Sequence, residues 1–388
     1  MPFLQTLRAA RPAVAAFAAM GIVWGSFAAE LPDIKAMLGV DEARLGFLLF
    51  FTPMAAVTAM LFAPRIGTAL GRIALPVSAL IMVAALVLPG QVAQAALFPV
   101  AMMALGAGTG LTDVLMNART AQIENERGLH LMNLAHAAYS FGYAGGALAT
   151  GALRGAGWTP PGVMAAMAAV AFLCALFTLE RDGRIHGLTR PAGGGAAGLG
   201  LLPLLGGAIV LIAFLTENAA ESWSALHIEK TLGGSPSEGA MGPAILALTM
   251  GFARLGGQGL VSRMDPFTLL KGGAVVAALG ALVASQALTP AMAHAGFIVM
   301  GIGAALISPT AFSLVGRLGP PEARARAVAR ATLFGYCGYF FGPPTLGFIA
   351  GAFGLRAAFV FTALVLLTIL LLAPLMARVA RPMRDARA

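Results

Sequence analysis

The sequence predicts an all-α integral membrane protein with twelve transmembrane helices arranged as two related six-helix bundles. Hydrophobic residues make up 59% of the 388 positions and charged residues only 11%, whereas a soluble domain is about a quarter charged. Apolar runs close to the roughly 20 residues that a helix needs to cross a bilayer succeed one another as far as Met376. A linker near the middle of the chain separates six of these runs from six others.

The first half of the chain holds six predicted spans. Arg8 and Arg11 precede the first run, and no small-residue cleavage site is suitably placed, so we expect this run to stay as a span. Pro32 and Asp41 indicate a short outer helix and the start of the next helix. Glu30 is expected to be a solvated residue at the outer boundary, with a role in substrate or proton access as the alternative. The six spans cover residues 9–31, 43–64, 73–91, 95–120, 127–153 and 161–179.

Residues 181–200 mix charges with glycine, which is typical of a flexible linker. We therefore expect an N-terminal bundle over 1–180, a cytoplasmic linker over 181–200, and a C-terminal bundle over 201–388. A single shift of one half against the other superposes Gly142, Gly146, Gly151 and Gly155 on Gly338, Gly342, Gly347 and Gly351. This repeat favours two structurally related bundles. The spans of the second half cover residues 201–226, 239–261, 267–288, 291–315, 325–352 and 355–377.

Basic residues are distributed unevenly over the predicted loops. With the N-terminus in the cytoplasm, twenty of the 25 lysines and arginines lie at cytoplasmic ends, which is the positive-inside pattern. We therefore expect a multi-pass protein of the bacterial inner (plasma) membrane, with both termini cytoplasmic and basic loops against anionic lipid headgroups. This placement accounts for the net charge of +9 without a nucleic-acid partner. The outer ends carry Lys35, Arg44, Arg154, Lys230 and Arg356.

Residues 106–151 place polar side chains inside otherwise apolar helices. Gly106, Gly110, Asp113 and Asn117 follow the i, i+4, i+7, i+11 spacing of one helix face. A second polar face follows after a short charged turn, so we expect neighbouring helices that line one cavity. The residues on or beside the second face are Asn133, His136, Tyr139, Ser140 and Tyr143. Of these, Asn133, Tyr139 and Tyr143 are candidates for substrate binding.

Asp113 is a candidate for chemistry because a carboxylate at mid-bilayer costs about 2.5 to 3.5 kcal/mol on insertion scales. One interpretation is that Asp113 takes up a proton on one side and releases it on the other, coupled to substrate through Asn117. The alternative is an acid near the cytoplasmic end that pairs with Arg119 or Arg127. For His136, a hydrogen-bond partner, a proton acceptor and a satisfied core histidine all stay open.

A second polar cluster lies in the first span of the second half, within TENAAESWSALHIEK. Glu217 and Glu221 are one turn apart and would repel each other if both were ionised, so this pair is suited to hold a proton. Glu217 is the deeper of the two, and for Glu221 a water-exposed helix end is the alternative. Asn218 and Glu221 are candidates for substrate binding. Trp223 is suited to stack on a sugar ring or to anchor the membrane interface, and we favour the anchor.

Further candidates for substrate binding lie in the remaining spans of the second half. Arg254 and Gln258 share a face of one helix. Pairing with Glu217 and binding of an anionic substrate are two alternatives for Arg254. We expect instead that its long side chain extends towards the cytoplasmic surface. Tyr336 and Tyr339 complete the predicted lining.

With these features the chain resembles the major facilitator superfamily. The twelve spans, cytoplasmic ends, central loop and repeat carry the resemblance, together with ELPDIKAMLGVDEARLG leading into GFLLFFTPMAAVTAMLFAPRIGTALGR. GLTDVLMN followed by LMNLAHAAYSFGYAGG is similar to the fourth and fifth helices of the bacterial fucose-permease-like branch. The family's usual Gly-x-x-x-Asp-Arg-x-Gly-Arg pattern is degenerate, since only Gly71 and Arg72 match its end and Thr68 replaces the Asp. The resemblance implies a major facilitator fold and alternating access around a site near mid-membrane.

These features together favour a secondary transporter that imports a small polar solute, sugar-like or another organic metabolite, with proton coupling. Its partners would be the solute, protons and membrane lipids, and we expect a monomer with no cofactor, no metal and no nucleic acid. The alternatives are proton-driven efflux of drugs or metabolites, through a cavity walled by methionine and phenylalanine, and a membrane sensor that transports nothing. No Gly-x-x-x-x-Gly-Lys-Ser/Thr loop for direct ATP drive occurs, and no pattern indicates an enzyme. The proton-coupling candidates are Asp113, Glu217 and His136.

Overall fold

The computed structural model describes residues 3–129, 131–188, 200–256, 263–318 and 324–385, and regular structure there is helical. We number the helices in chain order. They are α1 (Phe3–Leu38), α2 (Glu42–Leu49), α3 (Phe51–Leu70), α4 (Ala74–Gln91), α5 (Phe98–Arg127), α6 (Met132–Gly155), α7 (Pro160–Leu176), α8 (Leu202–Leu226), α9 (Pro236–Gly256), α10 (Pro266–Ser285), α11 (Pro290–Ala304), α12 (Ile307–Leu318), α13 (Arg324–Gly335), α14 (Cys337–Phe353), α15 (Leu355–Leu367) and α16 (Ile369–Asp385). A π-helical turn (His227–Thr231) extends α8.

Helix covers each predicted span within the described residues, which confirms the all-helical class. Several spans consist of two consecutive helices, as where α2 is followed directly by α3 and α13 by α14. By length and composition, seven helical segments of the described chain are able to cross a membrane, and α7 is a shorter apolar helix. The total of twelve spans therefore stays a prediction. Most of the predicted linker, residues 189–199, lies outside the described part of the chain.

The end of the first helix differs from the sequence-based expectation. A separate outer helix was predicted at Pro32, but α1 continues through that proline to Leu38. The chain turns only at Gly39, whose φ of 63° is accessible to glycine at little cost. The start of α2 agrees with the prediction, because the Asp41 side chain caps it by accepting a hydrogen bond from the backbone nitrogen of Arg44 at 2.8 Å.

Glycines allow the helices around the future site to touch backbone to backbone. A Cβ on Gly110 of α5 would lie 2.1 Å from the carbonyl oxygen of Ala56 on α3, and one on Gly142 of α6 would lie 2.5 Å from that of Ala18 on α1. These contacts fix where the polar faces of α5 and α6 point. The expectation that α5 and α6 are neighbours is wrong, because α5 packs mainly on α3 and α4, and α6 on α1 and α9. Their polar faces nevertheless line one cavity, as described below.

The helices before and after the linker approach each other most closely at one end. There α2 packs on α14 and α6 packs on α9. A Cβ on Gly46 would lie 2.3 Å from the carbonyl oxygen of Pro343, and one on Gly151 would lie 2.4 Å from the Cβ of Ala240. Since this end carries Arg154, it is the predicted outer end, and the two halves enclose a space behind it.

Candidate functional site

A cavity of about 720 Å³ lies between the two halves. One wall comes from α1, α3, α5 and α6, and the other from α8, α9, α12 and α14 with the short connections beside them. The helix contacts at the outer end close it there, while Asn133 and His136 of its lining are exposed. Its polar lining consists of Thr52, Thr109, Asp113, Asn133, His136, Tyr139, Ser140, Tyr143, Glu217, Asn218, Glu221, Ser222, Arg254, Ser308, Tyr336 and Tyr339.

The cavity brings together eleven of the fourteen residues that the sequence singled out as proton or substrate candidates. Asn117 does not line it and reaches it only through Asp113, and Trp223 lies elsewhere. Gln258 falls outside the described residues. Location in the cavity does not assign a role, so the individual functions of these residues stay predictions.

Glu217 is held at the cavity wall by two side chains from other helices. Arg254 Nη2 on α9 donates to Glu217 Oε1 at 3.2 Å, and Tyr339 Oη on α14 donates a long hydrogen bond to Glu217 Oε2 at 3.4 Å. Arg254 Nε also donates to the carbonyl oxygen of Ala305 at 3.3 Å. The expectation that Arg254 extends to the cytoplasmic surface is wrong, because a carboxylate and a carbonyl inside the bundle satisfy its guanidinium.

Asp113 has no ion-pair partner among the described residues. Asn117 Nδ2, one turn along α5, donates to the Asp113 backbone oxygen at 2.9 Å and to its Oδ1 at 3.3 Å. The alternative pairing with Arg119 is wrong, since Arg119 binds both carboxylate oxygens of Glu180 at 3.0 and 2.9 Å. Asp113 thus presents a carboxylate to the cavity whose hydrogen-bond donor in the described chain is the neutral amide of Asn117.

Acceptor groups face the cavity around Glu221. Glu221 makes no hydrogen bond or salt bridge within the described residues, and it lines the cavity rather than a water-exposed helix end. The Nδ2 of Asn218 donates to Ser222 Oγ at 3.3 Å. The Oδ1 of Asn218 and the Oη of Tyr143 are buried without a hydrogen-bond partner in the described chain. Since both atoms are fully buried in this structure, the acceptor that reaches the cavity is the Glu221 carboxylate.

Aromatic side chains form much of the remaining wall. The Tyr339 ring stacks on Phe214 with centroids 4.7 Å apart, and Tyr336 meets the same phenylalanine at 5.8 Å. His136 contacts Phe17 edge to face at 4.9 Å and lines the cavity, so its role as a proton acceptor or as a packing residue stays a prediction. Trp24 also lines the cavity. Sequence patterns missed Trp24, because an aromatic residue within an apolar helix gives no polar signal.

Trp223 occupies a different environment from either of the two predicted. Its side chain is fully buried, and its ring lies against Gly347 of α14, where an added Cβ would be 3.1 Å away. Both the interface anchor and stacking on a cavity-bound sugar are therefore wrong for this structure. The lack of a side chain at Gly347 makes the space that the indole fills.

A cluster of charges, of which Asp33 is partly exposed, lies at the predicted outer end of the bundle. We call Glu30, Asp33, Arg154 and Glu229 the Arg154 cluster. The Arg154 guanidinium binds Asp33 at 2.8 and 2.9 Å and Glu229 at 2.7 and 2.9 Å. The expectation of a solvated Glu30 is wrong, since its side chain is fully buried. The sequence predicts only that Arg154 lies at an outer helix end. No local pattern relates it to its partners Asp33 and Glu229, which are 121 and 75 residues away in the chain.

Comparison with known proteins agrees with this architecture. The model of the Major Facilitator Superfamily matches residues 13–318 and 210–387. The chain is 30% identical over 359 residues to an uncharacterized MFS-type transporter of Yersinia pestis, covering 91% of this chain and 92% of that relative.

Solved structures share the fold at low sequence identity. A crystal structure of the nucleoside transporter NupG superposes with a TM-score of 0.75 and 15% identity, covering 96% of this chain and 98% of that one. A D-xylose-proton symporter gives a TM-score of 0.68 and 15% identity, covering 94% and 97%. The chain belongs to the Major Facilitator Superfamily and is a multi-pass membrane transporter with that family's helical fold.

Proposed function

We propose that the protein is a secondary active transporter that moves a small polar solute across the bacterial inner membrane by alternating access, coupled to protons. The single observation that carries the proposal is the cavity between the two halves, closed at one end and lined by Asp113, Glu217 and Glu221. Ionisable groups at lipid depth are costly and persist where they serve transport. Glucose-sized and nucleoside-sized molecules fit a cavity of about 720 Å³.

The free groups of the cavity favour a solute that donates hydrogen bonds. Glu221 is an acceptor at the cavity wall without a protein donor in the described chain. Asn218 and Tyr143 line the same cavity, and a side-chain rotation would bring the buried Oδ1 of Asn218 and the buried hydroxyl of Tyr143 to the solute. A ligand rich in hydroxyl or amino groups would satisfy these atoms, and the ring faces of Tyr339 and Phe214 would pack against its apolar face.

Two carboxylates in different settings support proton coupling. Glu217 is paired with Arg254 and Tyr339, whereas Asp113 has no cation partner in the described chain and accepts a hydrogen bond from Asn117. We propose that Asp113 exchanges a proton during the cycle. Rearrangement of the Glu217–Arg254 pair would then connect that exchange to solute binding, and His136 at the accessible end would pass the proton to water.

Similarity to a nucleoside transporter and a D-xylose-proton symporter supports a polar, ring-containing solute, although at 15% identity each shares only the fold. The α5 and α6 sequences that resemble the fucose-permease-like branch lie along this cavity, which supports membership of that branch. We further propose cytoplasmic termini, basic loops in contact with anionic lipid, and a monomeric transporter.

Proton-driven efflux of amphipathic compounds is the second candidate. It is favoured by four methionines in the lining, whose flexible, polarizable side chains adapt to varied apolar ligands. These are Met20, Met60, Met102 and Met116.

Proteoliposomes with an imposed pH gradient separate the two candidates. We expect accumulation of at least one member of a panel of sugars, nucleosides and organic acids, dependent on the gradient and abolished by a protonophore. Flux of hydrophobic cations alone would favour efflux. If the flux of every compound is the same with and without the pH gradient, proton-coupled transport is contradicted.

A further inference from the structure

Glu30 is a buried acid that lies outside the cavity and has no role in the transport chemistry proposed above. Its side chain is fully buried on α1, and neither carboxylate oxygen has a hydrogen-bond partner in the described chain. The nearest cation is Arg154, with 3.9 Å between its Nε and Glu30 Oε2. That separation is too long for a hydrogen bond.

Arg154 is already committed to other acceptors. Its Nε and Nη2 bind Asp33, its Nη1 and Nη2 bind Glu229, and its Nη1 also donates to the carbonyl oxygen of Ala29 at 2.7 Å. Every nitrogen of the guanidinium is used. Three carboxylates therefore face one arginine, and Glu30 receives the weakest share of its charge.

No other cation compensates Glu30 in the part of the chain that the structure describes. Lys35 on the same helix pairs with Glu42 at 2.8 Å, and the other lysine near this end, Lys230, is exposed. On α9, Glu238 accepts hydrogen bonds from Ser235 instead, and on α8 Glu221 lines the cavity. A tight group of alanines from α1, α6 and α9 packs beside the cluster, comprising Ala29, Ala144, Ala147, Ala240 and Ala244.

We propose that Glu30 is a proton-binding site that sets the strength of the closure at the predicted outer end. A buried carboxylate that accepts no hydrogen bond and shares one distant cation with two other carboxylates is costly, and such a group neutralises by taking a proton. In the closed arrangement Glu30 would therefore be protonated. Release of that proton places a third negative charge beside Asp33 and Glu229.

The cluster converts this protonation change into a force between the two halves. Glu30, Asp33 and Arg154 belong to the first half, whereas Glu229 belongs to the second. An ionised Glu30 competes for Arg154 and repels Glu229, so it weakens the pair that holds the halves together. Protonated Glu30 leaves the pair intact. The closed outer end thus binds one more proton than the open one.

The dependence of the open fraction on pH has a definite sign and a maximum slope. Because the closed form holds the extra proton, the open fraction rises as pH rises. One proton changes the open-to-closed ratio by at most about tenfold per pH unit. The device rests on the proposed function only for its use in a transport cycle, since the equilibrium itself needs neither solute nor flux.

Distances between spin labels at the outer end test the proposal. Ala156, at the end of α6, and Leu288, between α10 and α11, are exposed positions in opposite halves. Both would be changed to cysteine for labelling, in purified full-length protein in which Cys174 and Cys337 are replaced by serine. We expect a longer-distance population that grows severalfold between pH 5 and pH 9.

Variants of the cluster make the result specific. Glu30→Gln, which mimics the protonated acid, is expected to keep the short distance at every pH, and Glu30→Asp to keep the pH response. Glu229→Gln removes the negative charge that the second half contributes to the cluster, and it is expected to enlarge the open population at every pH. This variant leaves Glu30 unchanged, so it tests the closure even if the Glu30 variants fail to fold. Glu42→Gln, which alters another ion pair at the same end, is the matched control and should respond like the parent.

A distance distribution of the parent protein that does not change between pH 5 and pH 9 would overturn the proposal. A Glu30→Gln variant that responds to pH like the parent would also overturn it. Loss of the response in Glu42→Gln would also overturn it, since the effect would then belong to the whole outer surface. Failure of solute uptake in proteoliposomes would count against the proposed function and leave this outcome unchanged.

Discussion

Arg254 on α9 donates a hydrogen bond to Glu217 on α8 at 3.2 Å at the wall of the central cavity. This pair, rather than the surface position expected for a long arginine, accounts for why an acid persists in the middle of an apolar helix. Tyr339 adds a third helix to the same contact. Movement of α9 or α14 relative to α8 therefore changes the partners of Glu217, which makes the pair suited to couple conformation to protonation.

Breaking this pair from either side should destabilise the protein non-additively. We expect Glu217→Gln and Arg254→Gln each to lower the thermal unfolding temperature, because each leaves the other charge without its partner. The double variant should recover part of the loss, with a coupling of roughly 0.5 to 3 kcal/mol. Thermal denaturation of the four purified proteins in detergent measures it, and strictly additive effects would show that the pair contributes nothing.

Asp113→Asn should abolish proton-driven accumulation while sparing the fold. The substitution keeps the shape of the side chain and its contact with Asn117 but removes the exchangeable proton. Uptake in proteoliposomes and the unfolding temperature are the two measurements. Glu126→Gln, at the exposed end of the same helix, is the control and should transport normally. Accumulation by Asp113→Asn at the level of the parent would remove Asp113 from the mechanism.

The acceptor groups around Glu221 should determine solute affinity. Hydrogen bonds to a charged group contribute about 1.5 to 3 kcal/mol, so Glu221→Gln is expected to weaken binding of a hydrogen-bond-donating solute by about tenfold or more. Asn218→Ala should have a smaller effect of the same sign. Calorimetric titration with a solute found in the uptake panel gives the Kd values. Unchanged affinity in both variants would mean that the solute binds elsewhere in the cavity.

Glycine substitutions on α6 should distinguish packing from mere helix propensity. Gly142→Ala would place a Cβ 2.5 Å from the carbonyl oxygen of Ala18, while a Cβ on Gly145 meets nothing within 4 Å. We expect Gly142→Ala to destabilise the protein by about 1 to 3 kcal/mol. Gly145→Ala should be neutral or slightly stabilising. Equal unfolding temperatures for the two variants would contradict the close approach of α1 and α6.

The sequence predicted the cavity lining well because polar side chains at lipid depth are rare and regularly spaced. Asp113, Asn133 and His136 stand out from apolar neighbours, and helical periodicity alone assigns each to a face. Glu217 was recognised for the same reason. These signals are local, because the polarity and the helical spacing of such residues are visible within the sequence of a single helix.

The interactions between distant helices could not be predicted in this way. Its position near a helix end predicts that Glu30 lies in water, but the side chain is buried beside Arg154 of α6, a tertiary contact that no local pattern shows. Trp223 was misassigned because its burial depends on a glycine at position 347, far along the chain. Helix length was also uncertain, since Pro32 is accommodated inside α1.

The movement of protons evoked by the solute tests the central claim most directly. A solute that the protein accumulates in the uptake panel would be added to proteoliposomes that contain a trapped pH indicator. No pH gradient would be imposed beforehand. The account predicts a solute-dependent pH change in the lumen for the parent protein and for Glu126→Gln, and its loss in Asp113→Asn and Glu217→Gln. Solute flux that leaves the luminal pH constant, or a pH change that persists in both acid variants, would contradict the claim that cavity carboxylates couple protons to transport.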